Sequence, residues 1–92
     1  MLNQLNSTGN CITLNLRWFS ILARLRGKAG EEFEMPEGCN GEVLIDRLCD
    51  ELPEIHKYRS HIRLAVNREY VDPSVILHDG DEVALITPVS GG

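Results

Sequence analysis

The sequence predicts an α+β domain, a single sheet with one main helix packed on one face. Three observations carry that expectation. Segments near both ends, Ile12–Phe19 and Glu82–Pro88, alternate with the period of two that marks a half-buried strand. One stretch, Glu42–Leu52, carries apolar residues at spacings of three and four. The chain has 92 residues, room for one small domain. Strands with a single long helix leave a layered arrangement in which the helix covers one sheet face.

In the first strand Ile12, Leu14, Leu16 and Trp18 share one side, and Thr13, Asn15, Arg17 and Phe19 share the other. Phe19 is the apolar exception on that polar side. Ser20 is expected to cap a short helix through Leu25 that Gly27 ends. Glu31–Met35 alternates again, with Phe33 and Met35 opposed to Glu32 and Glu34, until Pro36, Gly38 and Gly41 break it. The main helix then carries Leu44, Ile45, Leu48, Cys49 and Leu52 inward and stops at Pro53. Glu54–Ser60 reads as a short further turn of helix. Ile62–Asn67 reads as a third strand with Leu64 and Val66 inward, and Tyr70 and Val71 as a short fourth. His78-Asp79-Gly80-Asp81 is a turn, and the final strand opposes Val83 and Leu85 to Ala84 and Ile86.

The main helix is expected to cover the side bearing Leu14, Leu16, Trp18, Val83 and Leu85. Phe19, Tyr70 and Ile86 are left on the other side, with no second long helix to cover them. An exposed apolar patch on a small domain reads as a partner site.

Composition narrows the function classes. Hydrophobic residues make up 42% and charged residues 25%, so the chain has the makings of a folded core. The formal net charge is -5, which argues against a nucleic-acid binder. No apolar run approaches the roughly 18 residues of a membrane span. The charge is uneven: residues 1–28 hold four basic residues and no acid, whereas residues 31–54 hold nine acids and only Arg47. Residues 1–11 read as a flexible, polar N-terminal extension rather than a secretory leader. Cys11, Cys39 and Cys49 are odd in number and lack C-x-x-C spacing, which fits a reducing cytoplasm. The acidic surroundings of Cys39 and Cys49 do not favour a thiolate nucleophile. His56, His61 and His78 lack metal-ligand spacing, so no metal is expected.

The sequence ends Pro88-Val89-Ser90-Gly91-Gly92. Pro88 ends the strand, so residues 89–92 are expected to project as a flexible tail beyond a domain spanning 12–88. Glycines lack Cβ, so such a tail passes through a channel too narrow for other residues. It can present the Gly92 carboxylate deep in another protein's active site. Adenylation by ATP would turn that carboxylate into a mixed anhydride, and a sulfur nucleophile would turn the anhydride into a thiocarboxylate.

Three segments, Ala65-Val66-Asn67-Arg68-Glu69-Tyr70-Val71, Asp79-Gly80-Asp81-Glu82-Val83-Ala84 and Pro88-Val89-Ser90-Gly91-Gly92, resemble the small, sulfur-carrier subunit of molybdopterin synthase. Phe19–Gly27 looks like the same family's first strand end and short helix. The resemblance implies a ubiquitin-like β-grasp fold, a mixed sheet of four to five strands with the first and last side by side at its centre. It implies that Gly92 is adenylated by a ubiquitin-activating-like adenylyltransferase and bears the transferable sulfur. It further implies that Gly91, Ser90 and Val89 line the threaded tail, and that Phe19, Tyr70 and Ile86 meet the large subunit of the synthase. The family's sulfur goes to cyclic pyranopterin monophosphate in a complex of two large and two small subunits. No cofactor is expected to be held permanently, since ATP serves the activating enzyme. Thr87 departs from the family, standing where a second proline is frequent, and the N-terminal extension is longer than usual. The same tail suits sulfur carriers for thiazole, tRNA thiolation, cysteine or tungsten pterin synthesis, and ubiquitin-like modifiers that form isopeptides. An interaction module with a coincidental Gly-Gly end is the remaining alternative.

Overall fold

The computed structural model describes residues 10–87. Five strands are present: β1 (Cys11–Trp18), β2 (Gly30–Pro36), β3 (Arg63–Val66), β4 (Glu69–Val71) and β5 (Glu82–Ile86). Two α-helices, α1 (Ser20–Arg26) and α2 (Gly41–Glu51), and a 3-10 segment (Pro53–His61) connect them. The strands lie in the order β2-β1-β5-β3-β4. β1 and β5 pair in parallel at the centre, and every other pairing is antiparallel. The sheet is therefore mixed, with its first and last strands adjacent, as the resemblance implied.

Alternation along β1 and β5 decides which face is buried. Leu14, Leu16 and Trp18 from β1 and Val83 and Leu85 from β5 are at most 3% exposed. They pack against Leu44, Ile45, Leu48 and Cys49 of α2, Leu22 of α1 and Ile55 of the 3-10 segment. Burying a Leu or Val side chain contributes about 1.5–3 kcal/mol, so this one-sided layer supplies most of the fold's driving force.

The start of α2 explains how the helix is seated. Asn40 is the N-cap, and its side-chain oxygen accepts from the Val43 N–H at 2.9 Å. The Gly41 and Glu42 N–H groups donate to the Val75 and Pro73 carbonyls at 3.2 and 3.0 Å. The first-turn donors, normally unpaired inside a helix, are thus taken by the 73–75 loop. Gly41 permits that approach: a Cβ there would press on the Leu64 side chain and lie 2.8 Å from the Pro73 carbonyl oxygen.

Several boundaries differ from the sequence reading. β1 ends at Trp18, and Phe19 is the N-cap of α1, with extended backbone (φ -127°, ψ 153°). Ser20 does not cap; it lies inside the helix at φ 54°. The Leu22 and Ala23 N–H groups both donate to the Phe19 carbonyl, so the helix begins on Phe19. α2 begins at Gly41, one residue earlier than expected, because Asn40 rather than a downstream residue caps it. The 3-10 segment is longer than the turn expected at Glu54–Ser60, and it buries Ile55 completely. Val66 faces the core as expected, partly buried and packed against it, while Ala65 on the opposite face is 7% exposed. β5 stops at Ile86 rather than Pro88; Thr87 is buried beyond its end. Leu77, in an unassigned stretch, is fully buried and its N–H donates to the Cys39 carbonyl at 2.9 Å.

Candidate partner-binding face

The sheet surface turned away from α2 is organised by register. Arg17 of β1 stands opposite Ala84 of β5, Ala84 opposite Ala65 of β3, and Ala65 opposite Tyr70 of β4. One step along, Ile86 faces Arg63. Two alanines at the centre leave a floor with nothing tall on it. The taller side chains stand around that floor, enclosing a shallow hollow of about 360 Å³ lined by Arg17, Phe19, Ala65, Arg68, Tyr70, Glu82, Ala84 and Ile86. The structure thus brings Phe19, Tyr70 and Ile86 to one surface. Tyr70 is 71% exposed and Phe19 39%, large values for aromatic side chains with no function in the core.

Charge frames the hollow. An Arg17 Nη1 lies 3.1 Å from Glu82 Oε2, and the Arg17 guanidinium sits 5.8 Å from the centre of the Phe19 ring. Arg68 reaches the other Glu82 oxygen at 3.9 Å. Glu32 and Glu34 share this sheet face at its β2 edge, opposite Asn15 and Thr13.

The β3–β4 connection sets the near wall. Val66 pairs with Glu69, leaving the two-residue loop Asn67-Arg68, with φ of 51° and 74°. Two positive φ values define the mirror-image turn that matches strand twist. Asn67 also clips this turn to the start of β5. Its N–H donates to the Glu82 carbonyl at 2.8 Å, its side-chain oxygen accepts from the Glu82 N–H at 3.0 Å, and its side-chain NH₂ donates to Asp81 at 3.0 Å. The entrance of β5 is thereby fixed, and with it the outward aim of Ala84 and Ile86.

Val89, Ser90, Gly91 and Gly92 lie outside the described residues. β5 is a central strand, paired on both sides, and its last residue, Ile86, lines the hollow. Arg17 was visible in the sequence, since alternation put it beside Phe19. Ala65, Arg68, Glu82 and Ala84 stand in segments that carry the family resemblance, but no local spacing points to them, or to Arg63, as parts of one surface. Alternation puts Ala84 beside Ile86, but cross-strand register, which alone joins it to Ala65, is not a local property of sequence.

The cysteines do not join this face. Cys39 and Cys49 are buried and unpaired, and Cys11 is exposed and unpaired. Burial pushes the Cys39 thiol pKa up, away from the thiolate that nucleophilic chemistry requires. Among the described residues no group of three or more His, Cys, Asp and Glu side chains could hold a metal, and no helix is long and apolar enough to cross a membrane.

The chain is similar to the molybdopterin synthase sulfur carrier subunit of Arabidopsis thaliana, 32% identical over 81 residues, which cover 88% of this chain and 84% of that one. The subunit of the same description from Mycobacterium tuberculosis is 37% identical over 62 residues, covering 67% and 75% respectively. The crystal structure of SAMP1 from Haloferax volcanii matches with a TM-score of 0.75 over 87% of this chain and 99% of that one; at 24% identity the likeness concerns the fold. Residues 19–92 match the ThiS family. The chain therefore belongs to the ThiS family of ubiquitin-like β-grasp proteins, with molybdopterin synthase sulfur carrier subunits among its relatives.

Proposed function

We propose that the chain is the sulfur carrier subunit of a molybdopterin synthase, acting in molybdenum cofactor biosynthesis in the cytoplasm. Its chemistry resides at Gly92. A Gly92 carboxylate oxygen attacks the α-phosphorus of ATP on a ubiquitin-activating-like adenylyltransferase, and pyrophosphate leaves. Hydrosulfide then attacks the acyl carbon, AMP leaves and the S–H proton is lost to solvent, which gives the thiocarboxylate. The thiocarboxylate sulfur is passed to cyclic pyranopterin monophosphate in the large subunit's active site, and hydrolysis returns the carboxylate. ATP is consumed by the activating partner, and the carrier holds no cofactor of its own.

The observation that carries this reading is the pairing of β1 with β5. It brings Phe19 beside Ile86, the β5–β3 and β3–β4 pairings add Tyr70 to the same hollow, and Ile86 lies only six residues before Gly92. One surface can therefore dock the large subunit while Val89, Ser90 and Gly91 carry Gly92 into its active site. The relatives' description as subunits of a synthase supports a partner of that kind.

Intact-mass spectrometry tests the proposal. After incubation with the activating enzyme, ATP and a sulfur source, the chain should gain the mass difference between sulfur and oxygen. Deleting Gly92 should abolish the gain. An unchanged mass for the wild-type chain would refute the reading.

A further inference from the structure

We propose that the β3–β4 side of the outward face receives an acidic patch on the carrier's protein partner, with Arg63 and Arg68 as the residues that recognise it. The proposal rests on the large-subunit partner named above and adds the chemistry of its contact surface.

Two independent observations carry it. The first is the charge count around the hollow. Arg17, Arg63 and Arg68 stand on the β1-β5-β3-β4 part of this face against two acids: Glu82, which lines the hollow with Arg17 and Arg68, and Asp72, which lines the neighbouring hollow with Arg63 and accepts from the Ser74 N–H. Arg17 and Arg68 both converge on Glu82. Arg63, exposed and opposite Ile86, makes no ion pair among the described residues. A chain of net charge -5 thus carries a local surplus of positive charge beside its exposed aromatics. Glu32 and Glu34 lie across the same face at the β2 edge, so the surface is polarised from acid to base. That pattern orients a partner as well as attracting one.

The second observation is the backbone at Arg68. Its φ of 74° falls in the left-handed region, at the second place of a turn where glycine is the favoured residue. A long cationic side chain gains little there within the chain: it is 86% exposed, and its contact with Glu82 is 3.9 Å. The long contact with Glu82 leaves most of the guanidinium free, and the tight turn holds it at the edge of the hollow, where a partner's carboxylate can reach it.

A protein fits better than a nucleic acid. The floor is Ala65 and Ala84, the walls include Phe19, Tyr70 and Ile86, and the glutamates of β2 would repel a phosphate backbone. Apolar centre and charged rim are the anatomy of a protein interface.

The test measures the affinity of the full chain for the purified large subunit of its own synthase. Raising salt from about 50 to about 500 mM should weaken wild-type binding about tenfold, because rim charges are screened. Arg63→Glu should weaken binding at least about tenfold at low salt and flatten the salt dependence. Arg68→Gly should leave the thermal midpoint unchanged or raised while weakening binding about threefold or more, a split that a purely structural arginine would not give. Arg24→Glu, exposed on α1, should bind as wild type does. Salt-independent binding, or wild-type affinity in both Arg63→Glu and Arg68→Gly, would overturn the proposal while leaving the partner assignment standing. Failure of the wild-type chain to bind the large subunit would overturn both.

Discussion

Arg26 grips Glu31 with two parallel hydrogen bonds, Nε to Oε2 at 2.6 Å and Nη2 to Oε1 at 2.9 Å. The indole N–H of Trp18 donates to the same Oε2 at 2.8 Å, and the Arg26 guanidinium lies 5.5 Å from the centre of a Trp18 ring. The pair ties the C-terminal end of α1 to the first residues of β2, across the end of β1. Both side chains are largely buried, at 16% and 12% exposure, so solvent does little to screen them.

The pair makes stability depend on pH. Hydrogen bonds from Arg26, then those from Trp18, hold the Glu31 carboxyl below its ordinary pKa, outweighing the opposing effect of burial. A depressed folded-state pKa contributes stability that is fully present above the unfolded-chain value, about 4.3, and is lost as pH falls through the folded value. Glu31→Gln should cost about 2 kcal/mol at neutral pH, since a charged acceptor is replaced by a neutral amide. Denaturant unfolding of both proteins from pH 7 to pH 3 checks this, and the gap between them should narrow toward the acid end.

Gly41 sets two ordinary rules against each other. Alanine is the better helix former by about 1 kcal/mol, so propensity predicts that Gly41→Ala stabilises α2. Packing predicts the reverse, because the new methyl would meet the Leu64 side chain and the Pro73 carbonyl oxygen, the same loop that accepts from the Glu42 N–H. Backbone cannot give way as a flexible side chain does, and overpacking of this kind costs about 1–3 kcal/mol. A net loss of stability is the expected outcome, with calorimetric unfolding as the measurement.

Asn67 joins a local and a long-range requirement. Alanine at φ 51° meets the steric cost of the left-handed region, about 1–2 kcal/mol. It also strips the Glu82 N–H of its side-chain acceptor and Asp81 of a donor. Asn67→Ala should therefore lose about 2–3 kcal/mol, whereas Asn67→Gly keeps the backbone conformation and should lose only the hydrogen-bonded part, about 1 kcal/mol. Parallel denaturation curves for the two variants separate the contributions.

These positions show where a sequence speaks and where it does not. Periodicity is a one-dimensional signal, and it correctly divided Leu14, Leu16, Trp18, Val83 and Leu85 from Arg17, Ala84 and Ile86. It also marked Phe19, Tyr70 and Ile86 as surplus to the core. Register is two-dimensional: that Ala65 stands between Ala84 and Tyr70 depends on strands far apart in the chain. Caps depend on atoms from elsewhere too. Ser20 has a capping side chain but lies at φ 54°, while Asn40 caps α2 beside a loop whose carbonyls no local pattern announces. The left-handed Arg68 was hidden for a simpler reason, since Asn-Arg lacks the glycine by which such turns are usually recognised.

Tyr70 separates folding from function most cleanly. It is 71% exposed in the middle of a three-residue edge strand, and its ring borders the hollow floored by Ala65 and Ala84. Little of it is removed from water in the isolated chain, so Tyr70→Ala should change stability by no more than about 0.5 kcal/mol. In the proposed complex the ring becomes a central aromatic anchor, and truncating such a residue typically costs 2 kcal/mol or more, about thirtyfold in affinity. Tyr70→Ala should therefore keep the wild-type unfolding curve, still accept sulfur at Gly92, and bind the large subunit at least about thirtyfold more weakly. Titration calorimetry and intact-mass measurement on the same preparation check both halves. Wild-type affinity in that variant would remove Tyr70 from the interface, whatever the fate of the tail.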